Sequence, residues 1–271
     1  GLYIAFCDYR PAKGLFGSPF VGLKHFERFF NMMKFKTLLF NTFSLSLYGM
    51  IAGFFPPIIL AIMLNSTPFA KFKKIVQTVT YAPHFISIIV IVSMIRIFFA
   101  PTNGLIAQLM RLLGFLQEGQ SLDVLTSASA FPHLYVWSGI WQGTGWGSII
   151  YLGALTGIDY SLHESAMIDG ANKLQRIWHI DIPGILPMIV IILIMSCGSA
   201  LSVGFEKIWL MQNSFNLARS EVLSTYIYAM GIGDSRWSFS TAVGMFNSVI
   251  NFSLLVIVNA IARRINGNSL W

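Results

Sequence analysis

Charge is scarce in this sequence, and that scarcity sets the class of protein before any motif is weighed. Asp, Glu, Lys and Arg make up 11% of the 271 residues, whereas 55% are hydrophobic. Soluble domains carry about 25% charged residues, so a water-soluble enzyme is excluded as the simple reading. The net charge of +7 does not revive a nucleic-acid-binding one, because the basic residues flank apolar runs instead of forming a basic domain. Cysteine is nearly absent: Cys7 and Cys197 have no metal-ligand or redox spacing and say nothing about compartment. The G-x-x-x-x-G-K-[ST] phosphate loop is missing, so the chain is not itself an ATPase by that route. There is no H-E-x-x-H cluster and no nucleophile, base and orienter grouping, so neither a metal site nor catalytic residues are expected. Matched intramembrane carboxylates of a proton-coupled carrier are also lacking, and His84 and His133 stand singly near span starts.

What fills the sequence is a series of apolar runs, each near or above the ~20 residues that cross a bilayer. No charge occurs between Lys36 and Lys71, and Leu38 to Leu64 reads as a first complete span that Pro56 and Pro57 are expected to kink. Ile75 to Ala100 reads as a second, with Arg96 expected to snorkel from its far end. Phe131 to Leu155, Leu186 to about Leu210 and Ser238 to Ala262 supply the third to fifth. Gly1 to Phe6 is too short to cross and reads as the tail of a span whose beginning is absent. Residues 22 to 35 suit an amphipathic helix, either lying in the interface or packed. Lys71, Lys73, Lys74, Lys173, Arg176, Arg263 and Arg264 share one side if five spans alternate, and the positive-inside rule makes that side cytoplasmic. The expectation is an all-α integral membrane protein, with an extracytoplasmic segment 1–36, one transmembrane domain 37–262 and a cytoplasmic tail 263–271.

One polar stretch, Ser161 to Pro183, interrupts this pattern between two spans. Ser161 followed by Glu164 is a capping-box spacing, which predicts a helix from about Leu162. Gly170 suits the left-handed conformation that ends it, and a second helix is predicted from Asn172 until Pro183 interrupts it. Helix, turn and helix therefore sit on the face assigned as cytoplasmic.

The spacing of Glu164, Ala166, Gly170, Ile180 and Pro183 resembles the EAA loop, E-A-A-x3-G-x9-I-x-L-P, of permease subunits of binding-protein-dependent ABC importers, with Ser165 and Ile182 departing from it. The stretches VGLKHFERFF, VQTVTYAPHFIS, GWGSIIYLGALTGID, RIWHIDIPGILP and LSVGFEKIW are similar to the oligosaccharide and polysaccharide branch of the maltose-type carbohydrate permeases. The resemblance covers essentially the whole chain. It implies a type I ABC importer transmembrane domain with a coupling loop at 159–187, five complete spans here and a further one before them. It also implies a multi-pass protein of the bacterial cytoplasmic membrane, working with a second, different permease subunit, two ATPase subunits that bind the ATP and Mg, and an extracytoplasmic sugar-binding protein. This chain itself would be non-catalytic and hold no cofactor. Glu164, Ser165, Ala166, Asp169 and Gly170 would meet the ATPase subunit, the helix packing through Ala166 and Met167.

Sugars bind to aromatic faces, amides and hydroxyls, so Trp141, Gln142, Trp146, Asn247 and Asn251 are the candidates for the substrate path. Packing explains the tryptophans, and interhelical hydrogen bonds the asparagines, about as well. Glu206 either touches substrate or receptor, or pairs with Arg96 or Lys207. The identity, length and charge of the sugar stay open. The alternative is a secondary carrier or membrane scaffold with an EAA-like connector.

Overall fold

Where the sequence runs apolar for longer than a bilayer is thick, the chain is helical. A computed structural model describes residues 1–117 and 119–266, so the end of the expected tail, 267–271, lies outside the described residues. Leu2–Phe6 forms a 3-10 turn. Helix α1 (Lys24–Phe30) is short, and its Phe29 is fully buried, so it packs and does not float in the interface. Helix α2 (Phe35–Asn65) continues unbroken through Pro56 and Pro57.

The second expected span is broken. Helix α3 (Ala70–Tyr81) is amphipathic, a turn occupies Ala82–Phe85, and α4 (Ile88–Phe98) has only 11 residues. Pro83 supplies no N–H to continue the ladder, which favours a break there. Helix α5 (Leu105–Leu112) lies in the following connection, and α6 (Phe131–Thr156) matches the third expected span. Helix α7 (Tyr160–Ile168) is followed by α8 (Lys173–Arg176), a π-turn over Ile177–Asp181 and α9 (Ile182–Gly198). Residues 173–198 make one continuous helical run. The fourth expected span therefore begins earlier and stops at Gly198, and the next piece is the separate α10 (Phe205–Met211). Short α11 (Leu217–Ser220) and α12 (Leu223–Tyr228) precede the final α13 (Trp237–Asn266).

Among the described residues, Phe35–Asn65, Lys173–Gly198 and Trp237–Arg264 are long and apolar enough to cross a membrane, and α3 with α4 is a fourth crossing if the broken pair is one span. Helix α6 has the length for a fifth at 26 residues, but Gly, Ser, Thr and Gln dilute its apolar surface. The protein is an all-helical membrane protein, with isolated bridges at Cys7–Phe20 and Arg10–Gly14 and no strand among the described residues.

The contacts divide the chain into two units whose boundaries fall inside α2, α6 and α13. One comprises Gly1–Leu47, Ile88–Tyr135 and Ser199–Leu254. Its core is Phe29, Leu38, Leu223, Phe239 and Val243, and Asn41 ties α2 to the α11 region by donating to the carbonyls of Ala218 and Glu221, each at 3.0 Å. The other comprises Tyr48–Ser87, Val136–Gly198 and the chain from Leu255 on, with Ile58, Ala61, Tyr151, Leu155 and Ile185 at its core. In this unit Gly145 lets α6 approach α3 closely: a Cβ there would come within 2.0 Å of the Thr80 oxygen.

Candidate functional site

The polar stretch after α6 folds as a hinged pair of helices whose ends are closed by the chain itself. Asp159, not Ser161, caps α7: its Oδ1 accepts from the Ser161 N–H at 2.9 Å. The expected Ser161–Glu164 box does not form, because Ser161 already lies inside the helix. The Ser161 backbone bond, helped by its hydroxyl, holds the Asp159 carboxyl below its ordinary pKa. At the other end, Gly170 has φ +82°, a left-handed conformation that costs a side-chain-bearing residue about 1 kcal/mol or more. Its N–H donates to Met167 O at 3.1 Å and that of Ala171 to Ala166 O at 2.8 Å. These two bonds make a Schellman closure, which satisfies carbonyls a helix end otherwise leaves unpaired.

The capping box falls one helix later. Asn172 Oδ1 accepts from Gln175 N–H at 2.9 Å while Gln175 Oε1 accepts from Asn172 N–H at 2.7 Å. From there the helix does not end at Pro183. The π-turn at Ile177–Asp181 ends two residues before the proline, and its widened bonding absorbs the missing N–H, so α8 runs on into α9.

Three contacts strap this pair to the membrane helices of its own unit. Lys173 Nζ donates to Ser66 O just past α2 at 2.9 Å. His163 Nε2 of α7 lies 3.3 Å from Asp181 Oδ1. Gly184 meets Ile158 so closely that a Cβ would lie 2.5 Å from its Cδ1. A cavity of about 390 Å³ sits among these contacts, lined by His163, Lys173, Arg176 and Asp181 together with the ends of α2 and α6.

Of the expected coupling residues, Glu164, Ser165, Asp169 and Gly170 are exposed and Ala166 is half-buried. Met167 is 43% exposed and Ile168 86% exposed. Ser165 donates its hydroxyl to Ser161 O at 2.9 Å, which turns the polar group back onto the helix and leaves an outline close to alanine's. The outer side of α7 thus offers a carboxylate, small residues and bare apolar side chains.

The substrate-path candidates fall in both units, and three of the six, Gln142, Trp146 and Asn251, make framework contacts. Gln142 Nε2 donates to Ile86 O at 3.1 Å, and Trp146 stacks on His84 with ring centroids 4.5 Å apart and planes 2° from parallel. Both clasp the turn after α3, while Trp141 is half exposed. In the other unit Asn251 is buried, accepting from Leu201 N–H and donating to Ser202 Oγ, each at 2.8 Å. It closes the break after α9. Asn247 has a buried side-chain oxygen without a hydrogen-bond partner. Glu206 is exposed and forms no ion pair with Arg96 or Lys207. Arg96 does not snorkel alone, since it donates to Leu210 O.

Sequence reasoning missed His163, Asp181 and the cap at Asp159. An Asp two places earlier than Ser161 was a legible capping signal; the His163–Asp181 pair was not, because only the turn at Gly170 brings those positions together.

Residues 37–267 match the family described as binding-protein-dependent transport system inner membrane component. The chain belongs to that family. Members similar to it include the polygalacturonan/rhamnogalacturonan transport system permease protein YteP of Bacillus subtilis, 40% identical over 100% of this chain and 83% of the relative. Protein LplB of the same organism is 39% identical over 100% of this chain and 84% of its own. Among solved structures, a bacterial ABC transporter involved in import of the acidic polysaccharide alginate has a chain that superposes with TM-score 0.90 at 34% identity, covering 98% of this chain and 88% of its own. A bacterial alginate ABC transporter in complex with an alginate pentasaccharide-bound periplasmic protein gives TM-score 0.88 at 35% identity over 92% of this chain and 85% of its own. The family match over residues 37–267 takes in the polar stretch, and the superposed importer chain covers 98% of this one.

Proposed function

We propose that this chain is the membrane permease subunit of an ATP-driven importer for acidic oligosaccharides, sitting in a bacterial cytoplasmic membrane. The observation that carries the coupling half is α7: a short helix with an exposed carboxylate and exposed apolar residues, tied to the foot of α9 by the His163–Asp181 pair and followed by α8, whose Lys173 reaches Ser66 just past α2. Such a piece moves as a rigid body when pushed and drags two membrane helices with it, which is how closure of a partner alters access in a transporter. The pushing partner is a separate ATPase subunit that binds ATP and Mg; Glu164, Ser165, Ala166, Asp169 and Gly170 form the docking face. A second permease subunit and an extracytoplasmic sugar-binding protein complete the assembly.

The substrate half rests on the relatives. A polygalacturonan/rhamnogalacturonan permease and alginate importers are named for polysaccharides rich in uronic acids, which supports an acidic oligosaccharide as the cargo of this one. The test is uptake into proteoliposomes holding the reconstituted complex, with ATP inside the vesicle and the sugar-binding protein outside. ATP-dependent accumulation of a uronate oligosaccharide is the expected result. Uptake that proceeds without nucleotide would sink the reading, as would robust ATP hydrolysis by the purified chain alone.

A further inference from the structure

In the unit that holds α4 and α10, a cavity of about 300 Å³ is lined by Ile95 and Arg96 of α4, Phe131 and Leu134 of α6, and the stretch from Met211 to Asn216. That volume is at the lower end of the roughly 300–1,000 Å³ typical of small-molecule sites. Its polar lining is not what it first looks like. Asn213 and Asn216 both donate to Leu125 O, and Gln212 donates to Ser220 O at 2.7 Å. These amides are committed to the backbone and make a fixed wall.

Arg96 is different. It is exposed, it stands in the last turn of α4, and its Nη2 donates to Leu210 O at the edge of the cavity. That bond turns the guanidinium towards α10 and the cavity. A guanidinium carries five N–H donors in a planar fork, so most of its donor capacity is left for a ligand. No carboxylate lines the cavity or pairs with Arg96 among the described residues.

A second cation nearby also lacks a carboxylate. Lys207 of α10 is only 7% exposed; its Nζ donates to Tyr135 O at 3.0 Å and lies 5.1 Å from the centroid of that ring. Tyr135 follows Leu134, which lines the cavity. The nearest acids in sequence are otherwise engaged or turned out: Asp123, next to the cavity-lining Val124, accepts from the Ser121 hydroxyl at 3.1 Å, Glu221 is paired with Lys34 at 2.9 Å, and Glu206 is exposed to solvent. Burying a cation without a counter-ion is costly, and in a poorly polarisable setting the two charges add to a positive field.

We propose that the Arg96 cavity is a station for the carboxylate of a uronic-acid residue, the guanidinium fork gripping the carboxylate and the apolar wall of Ile95, Phe131 and Leu134 carrying the sugar's C–H face. Planar two-point recognition is what arginine provides and lysine does not, while Lys207 supplies field without contact. This inference rests on the acidic-cargo reading and assigns it a residue.

The test compares uptake of trigalacturonate with that of its fully methyl-esterified, uncharged form by the complete reconstituted complex and binding protein. Wild type is expected to favour the acidic trimer. Arg96→Gln keeps a donor for Leu210 O and is expected to lower the acidic-to-neutral uptake ratio about tenfold; Arg96→Lys is expected to lower it less. A ratio unchanged in both variants overturns the Arg96 station even where both rates fall, since a merely structural role lowers the two sugars alike. If Arg96→Gln does not assemble, the ratio of Arg96→Lys decides: a fall supports the station and no change overturns it. Wild-type complex that imports no uronate oligosaccharide overturns the acidic-cargo reading and the station with it.

Discussion

His163 Nε2 on α7 lies 3.3 Å from Asp181 Oδ1 at the foot of α9, and the carboxylate-bearing side chain is only 5% exposed. This pair joins the two halves of the polar stretch. Removing the histidine takes away the imidazole that faces a buried carboxylate oxygen with no hydrogen-bond donor of its own, and leaving such a group without a polar neighbour costs about 1–3 kcal/mol. With the histidine side chain 16% exposed, His163→Ala is expected near the lower end of that range. The combined His163→Met, Asp181→Leu variant is expected to recover most of the loss, because an apolar pair has no charge to desolvate. Thermal unfolding of the single and double variants in detergent checks this; a double variant as unstable as His163→Ala would contradict it.

Gly170 carries a second prediction. At φ +82° nothing lies within 4 Å of a Cβ built on it, so the only penalty for substitution is conformational. Gly170→Asn, which tolerates the left-handed region, is expected to lower stability by less than about 1 kcal/mol, and Gly170→Val by about 2 kcal/mol because a β-branched residue resists it. Equal effects of Asn and Val in the same unfolding measurement would mean that the turn is not held in this conformation.

Glycines of α6 separate by their surroundings. Gly145→Ala would push a methyl group to 2.0 Å from the Thr80 oxygen, whereas Gly143 and Gly153 have open space within 4 Å. Overpacking of this kind costs about 1–3 kcal/mol, and Gly145→Ala is expected at or above the top of that range, with Gly143→Ala and Gly153→Ala near neutral. Expression and unfolding temperature of the three alanine variants decide the point; a tolerated Gly145→Ala would refute the close approach.

Much of this was legible in the sequence, and the failures have a common cause. The apolar runs gave α2, α6 and α13 nearly to their ends, since length and hydropathy suffice for a helix that faces lipid. They failed for the second and fourth spans, where local backbone chemistry overrides hydropathy: Pro83 breaks one into α3 and α4, and the other stops at Gly198. Pro183 failed in the opposite direction, because a π-turn absorbed it. In the polar stretch the turn at Gly170 was readable from its glycine. Asn251 was ambiguous for a different reason: an amide in an apolar helix suits a sugar or a backbone break equally, and only the fold shows its bonds to Leu201 and Ser202.

That reassignment is itself testable. Asn251→Leu strips the acceptor from the buried Leu201 N–H, worth about 1–3 kcal/mol when left unpaired, and takes the amide donor from the exposed Ser202 hydroxyl. The expected outcome is a marked drop in stability, with any remaining transport showing an unchanged apparent KM for the oligosaccharide. A raised KM with normal stability would return Asn251 to the substrate path.

The Asp8 carboxyl gives a pH dependence. Its hydrogen bond with Lys24, at 2.8 Å, is the main cause holding its pKa below the ordinary value, with His25 adding to it. A depressed folded-state pKa stabilises the fold above the unfolded carboxylate range, and this contribution is lost as pH falls through the folded value. The pair is largely exposed, so Asp8→Asn is expected to cost about 0.5 kcal/mol or less at neutral pH and nothing once the carboxyl is protonated. Unfolding of both proteins at neutral pH and near pH ~3 tests the sign; a cost that grows on acidification would contradict it.

On the proposed function, α7 transmits work from a separate ATPase to the membrane helices. The most direct measurement is the number of ATP molecules hydrolysed per sugar imported by the reconstituted complex carrying wild type, Glu164→Ala or Gly170→Val. The prediction is that both variants lose sugar-coupled hydrolysis and uptake while the isolated ATPase subunits keep their activity. Uptake and coupling equal to wild type in both variants would contradict the claim.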